Sequence, residues 1–135
     1  MKKLTLIFTL LFSTVMFSSI SFAEWIFVAE TKEKNSKLNA KSYIDPDRII
    51  FKNELVYYWQ LTDWVNEGGY GYLSAVAQVV TDCDLKKYKN LQITNYKNNM
   101  GTGMIVGKDK PHTQWQYPLP SSTKESLVNY VCKVN

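Results

Sequence analysis

Only two cysteines, Cys83 and Cys132, occur in the 135 residues, and no other feature constrains the fold as strongly. What two thiols do depends on compartment, and the first residues speak to that. "MKKLTLIFTLLFSTVMFSSISFAEW" has the parts of a secretory signal: Lys2 and Lys3, an apolar stretch from Leu4 to about Phe17, and small residues at Ser21 and Ala23. Cleavage between Ala23 and Glu24 is expected, leaving one domain over residues 24–135. Ser and Thr interrupt the apolar stretch and no basic cluster follows it, so no membrane span is expected after cleavage. No cysteine stands near the cleavage point, so a lipid anchor is not expected either. The mature chain should be exported, to the periplasm or the cell surface.

In an oxidising compartment, an even cysteine count in a small domain reads as a disulfide. Zinc would need four soft or imidazole ligands, and the chain offers two thiols and one histidine, with no CxxC or HxxxH. A cysteine nucleophile would need a neighbouring base. The sole candidate, His112, stands in the "KDKPHTQW" segment. A Cys83–Cys132 crosslink is therefore the expected structure. Closing a loop of about fifty residues stabilises a fold by about 4 kcal/mol on the chain-entropy model.

Alternation dominates the middle of the chain. In "ELVYYWQLTD" (54–63), Leu55, Tyr57, Trp59 and Leu61 share one face, while Val56, Tyr58, Gln60 and Thr62 share the other. "GYLSAVAQVVTD" (71–82) repeats the pattern, and Ser74, Ala75 and Ala77 leave room for a bulky neighbour. Gly68 and Gly69 between them predict a hairpin turn. Weaker strand patterns lie at 25–30, on either side of the Asp-Pro-Asp turn in 42–51, at 88–96, and at 113–117 as a last edge strand. "SSTKESLVNYVCKVN" opens with a capping box, Ser122 to Glu125, and puts Leu127, Val128, Val131 and Cys132 on one helical face. The prediction is an α+β domain: an antiparallel sheet of about six strands, with a C-terminal helix packed on one face and tethered by the disulfide.

"YIDPDRI", "LVYYWQLTDW", "GYLSAVAQ" running into "DC", and a helix ending "NYVC" together resemble the bacterial surface-adhesin protein E family. The likeness spans nearly all of the mature chain in order and spacing. It implies the same helix-on-sheet fold, and attachment to host extracellular-matrix or plasma proteins at a bacterial surface.

Other groupings carry less chemistry. Without Lys2 and Lys3 the formal charge falls from +4 to +2, 14 basic against 12 acidic residues, too little for a nucleic-acid face. Lys86, Lys87 and Lys89 form the one basic cluster, with Tyr88 among them. These four, with Tyr70 of the glycine-rich turn, are the candidate partner-binding residues. Trp59, Trp64, Tyr70 and Tyr72 gather around the predicted hairpin and serve mainly as core. Asp82 with Asp84, and Asp45 with Asp47, supply too few oxygens for calcium and read as turn caps. "GTGMIVG" (101–107) has the wrong spacing for a nucleotide fingerprint and reads as a flexible loop. With one histidine, no GxSxG and no HExxH, the chain reads as a non-enzyme with no metal and no cofactor. The expected function is an exported, non-catalytic, adhesin-like protein that binds a host matrix or plasma protein. The alternative is a soluble periplasmic inhibitor or structural partner of the cell envelope. An exposed edge strand offers a route to a homodimer.

Overall fold

The computed structural model describes residues 24–34, 38–67 and 70–134. The signal segment 1–23, including Ala23, and the turn glycines Gly68 and Gly69 lie outside the described residues. Seven strands form one antiparallel sheet: β1 (Ile26–Glu30), β2 (Ala40–Ile44), β3 (Ile50–Lys52), β4 (Leu55–Trp64), β5 (Ser74–Asp82), β6 (Lys87–Tyr96) and β7 (Ile105–Asp109). Their spatial order is β1-β2-β4-β5-β6-β7, with β3 paired to β4. The long pair is in register from Leu55 opposite Asp82 to Asp63 opposite Ser74, as the two alternating runs predict. One helix, α1 (Thr123–Lys133), closes the described chain.

Alternation along β4 and β5 decides which residues meet the helix. Val56, Tyr58, Ala77 and Val79 face α1 and form the core with Ile44, Leu127 and Val131. The small side chain of Ala77 leaves space for this packing, and α1 lies across β1, β2 and β4. Tyr58 is fully buried; its hydroxyl accepts from Thr81 Oγ1 at 3.3 Å, and burial raises its pKa. Cys83 and Cys132 are bonded, with Cα atoms 5.7 Å apart, so the last turn of α1 is tied to the end of β5. Ser122 caps the helix by accepting from Glu125 N at 3.1 Å. The return bond of the box goes one residue early: Glu125 Oε1 accepts from Ser121 N at 3.2 Å.

Two segments differ from the sequence reading. The segment 101–107, expected as a flexible loop, instead runs from Ile105 into edge strand β7 (Ile105–Asp109). Residues 113–117, expected as the last edge strand, form no strand and pair with the sheet by one isolated bridge, Gln116 opposite Tyr88. Local glycines masked the first. The tight turn 99–101 ahead of β7 is fixed not by its own propensity but by bonds to distant strands. Asp63 Oδ1 accepts from Met100 N at 2.8 Å, and Ser74 Oγ accepts from Gly101 N at 2.9 Å. Gly101 sits at φ +68°, and a Cβ there would lie 3.1 Å from Val76 Cγ2. Glycine is needed both for the backbone and for the approach.

Candidate functional site

The sheet face opposite α1 carries Tyr57, Trp59, Gln78, Val80, Gln92 and Thr94, as cross-strand pairing requires. A groove of about 610 Å³ crosses it, with Trp25, Arg48, Trp59, Gln92 and Tyr96 in its walls. Arg48 is placed by the short turn Pro46–Arg48, which Asp45 caps by accepting from Asp47 N at 3.0 Å. Its guanidinium lies 4.8 Å from the ring centroid of Trp59 and pairs with the buried carboxylate of Asp45. The Asp45 pair thus acts as a turn cap and an anchor for the arginine.

An irregularity in β6 decides where the lysines go. Gln78 pairs with Gln92, but Val79 pairs with Asn90, so Leu91 is an extra residue. Such a bulge reverses the facing of everything before it relative to strict alternation. Lys89 thus falls opposite Val80 and Lys87 opposite Asp82, on the open face, while Tyr88 falls opposite Thr81 on the helix side. The four-residue cluster is therefore split. Tyr88 is not stacked among the lysines; it packs against the core. Lys86 stands exposed in the β5–β6 turn at φ 52°. Asp82 Oδ1 holds that turn, accepting from Asp84 N at 3.0 Å and Leu85 N at 3.1 Å.

Trp115 replaces Tyr88 as the aromatic partner. The Lys87 and Lys89 amines lie 4.8 and 4.7 Å from its ring centroid, two cation–π contacts on one indole. Lys87 also lies 4.0 Å from Asp82, so part of its charge is balanced. Sequence reading missed Trp115 because it lies some twenty-five residues away. The bridge between Gln116 and Tyr88 is what brings it over β6. Tyr70 is elsewhere: it stacks on Tyr72 at 5.7 Å, which meets Trp64 edge-on at 5.4 Å. Tyr70 is 54% exposed, so this cluster offers an aromatic surface at the β4–β5 end.

Beneath the first turn of α1 lies a second polar region. Lys124 reaches toward the sheet, donating to Gln60 Oε1 at 2.7 Å with its amine 4.2 Å from the Tyr88 ring centroid. Burial lowers its pKa to about 7. His112 Nδ1 accepts from Asn90 N at 3.2 Å, which leaves the neutral ring's proton on Nε2. Burial, and then the charge of Lys124, lower the His112 pKa. Cys83 is engaged in the disulfide, so a Cys83–His112 nucleophile pair does not exist. Among the described residues no group of three His, Cys, Asp or Glu is placed to hold a metal.

A family model described as "Surface-adhesin protein E" matches residues 25–133. The chain belongs to the surface-adhesin protein E family. A solved structure of Haemophilus influenzae protein E, in its crystal form II, is similar in fold. It has a TM-score of 0.58 and 17% identity, and the match covers 83% of this chain and 89% of that one. No curated protein matches the sequence. This protein E-family member is thus classed as a surface adhesin, and no helix among its described residues is long and apolar enough to cross a membrane.

Proposed function

We propose that the mature protein is a non-catalytic adhesin that attaches to a host extracellular-matrix or plasma protein through its open sheet face. The observation that carries this is the half-buried cation–aromatic strip on the open face, Lys87 and Lys89 clamped on Trp115, together with the groove that holds Arg48 on Trp59. Aromatic and arginine side chains are favoured interface anchors, and lysines of one sign steer an acidic partner toward them. The helix face is occupied by its own core, which leaves the other face for a partner. Export, the signal segment ending at Ala23, and the start of the mature chain at Glu24 belong to the same reading.

Binding of the purified mature domain to a panel of matrix and plasma proteins tests it. At least one ligand should bind saturably, and affinity should fall as salt rises. Lys89→Glu should weaken that binding about tenfold and flatten its salt dependence, while Lys34→Glu, outside the strip, should leave it unchanged. A panel with no saturable ligand, or equal losses in both variants, refutes the assignment.

A further inference from the structure

The cleft beneath the start of α1 holds a cation with no counter-ion among the described residues. Among the described residues Lys124 makes one hydrogen bond, to Gln60, and no ion pair, and its amine is drawn into the protein. A half-buried lysine whose amine lacks a carboxylate is costly to keep charged, and a bound anion would relieve that cost. The walls of the cleft, about 300 Å³, carry donors and acceptors both, among them Asn90, whose buried Oδ1 has no hydrogen-bond partner among the described residues. The hydroxyls of Ser42, Thr62 and Thr123 line it, and none bonds a protein group among the described residues. The Gln60 carbonyl oxygen is committed to Lys124, which leaves that side chain's NH₂ as a further donor. Among the described residues no Asp or Glu lines the cleft, and Ala40 and Leu127 supply an apolar wall.

We propose that this cleft binds a small monocarboxylate. Its carboxylate sits on the Lys124 ammonium and the surrounding hydroxyls, and its short alkyl tail lies against Leu127. One lysine matches one negative charge; a doubly charged phosphate or sulfate would leave half its charge unpaired against Lys124. The volume fits a chain of a few carbons beside a water or two. His112 and Tyr88 are the other titratable groups close to the amine. Neither offers a fixed negative charge at neutral pH, so neither competes for the lysine.

Butyrate is the probe, with sodium chloride at equal ionic strength as the control, added to the mature chain. Butyrate should raise the melting temperature saturably in the millimolar range and move the amide resonances of Ser42, Thr62 and Thr123. It should also raise the pKa of the Lys124 amine, followed by its side-chain resonances. Lys124→Met should weaken the effect about tenfold or more, the usual share of a charged hydrogen bond. Should that variant fail to fold, Thr62→Val, which keeps the lysine, should still weaken it measurably. A butyrate effect no larger than that of chloride, or one equal in wild type and in a folded Lys124→Met, overturns the proposal. Host-protein binding through the opposite face would be unaffected by either outcome.

Discussion

Replacing Lys124 by methionine should make the protein more stable, and the gain should depend on pH in a direction opposite to ordinary lysines. The folded chain holds this amine at a pKa of about 7 against the usual 10.5, through burial. Below pH 7 both folded and unfolded chains carry the proton, and the fold bears the full cost of the buried charge. Between pH 7 and 10.5 the unfolded chain binds a proton that the folded chain has released, so stability rises with pH. Each pH unit of that window is worth up to about 1.4 kcal/mol, giving a ceiling of roughly 4–5 kcal/mol across it. Water admitted by the cleft screens part of this, so about 2 kcal/mol is expected between pH 7 and pH 9.

Methionine has the length to follow the lysine stem but carries no charge. Its loss of the bond to Gln60 costs about 1 kcal/mol at every pH, a constant offset that leaves the slope untouched. Urea unfolding of wild type and Lys124→Met from about pH 6 to about pH 10 isolates the effect: the other titrating groups are common to both, and His112, whose pKa the Lys124 charge lowers, is neutral in both above about pH 7. The variant's advantage should be largest at pH 6 and shrink by about 2 kcal/mol or more toward pH 10. A difference that stays constant across the series would show that the amine titrates alike in both states. The buried-cation account, and the anion cleft built on it, would then be refuted.

Two further outcomes follow from the fold. Reducing Cys83–Cys132, a link across 49 positions, should cost about 4 kcal/mol in urea unfolding, with early hydrogen exchange in α1; unchanged stability would mean that the helix is held by packing alone. Gly101→Ala should cost about 1–3 kcal/mol, from the +68° backbone and the 3.1 Å approach to Val76, while Gly107→Ala, where a Cβ meets nothing within 4 Å, should cost under about 1 kcal/mol.

Where local chemistry and tertiary context agree, the sequence was readable. The β4–β5 pair, the helix with its Ser122 cap, the Asp45 and Asp82 turns, and the disulfide all follow from patterns within a dozen residues or from an even cysteine count. β7 was not readable, because Gly101, Gly103 and Gly107 suggest a loop, and the turn before it is fixed by Asp63 and Ser74, far away in sequence. The candidate site was half legible. Lys87 and Lys89 could be named, but their aromatic partner could not, because no period links residues 87–89 to Trp115. Lys124 was invisible for a similar reason: in a helical projection it is one more polar residue of the first turn. Only the sheet beneath shows that it has nowhere to place its charge.

The bulge at Leu91 explains how a single strand can serve two faces with unlike demands. In strict alternation, the parity that turns Ile93 and Asn95 inward would turn Lys89 and Lys87 inward as well, under α1, and would put Tyr88 outside. Two uncompensated lysines in that core would cost several kcal/mol, comparable with the whole stability of a small domain. One extra residue resolves the conflict. Ile93 stays against the core, Tyr88 becomes the floor beneath Lys124, and both lysines emerge on the open face to meet Trp115. The same displacement sets Asn90 against His112, which it holds by two bonds, Asn90 N to Nδ1 and His112 N to Asn90 O at 2.9 Å. Those bonds anchor the 110–116 segment that carries Trp115 across the sheet. The basic strip outside and the polar cleft inside are therefore two consequences of one register shift, and neither could be repositioned without disturbing the other.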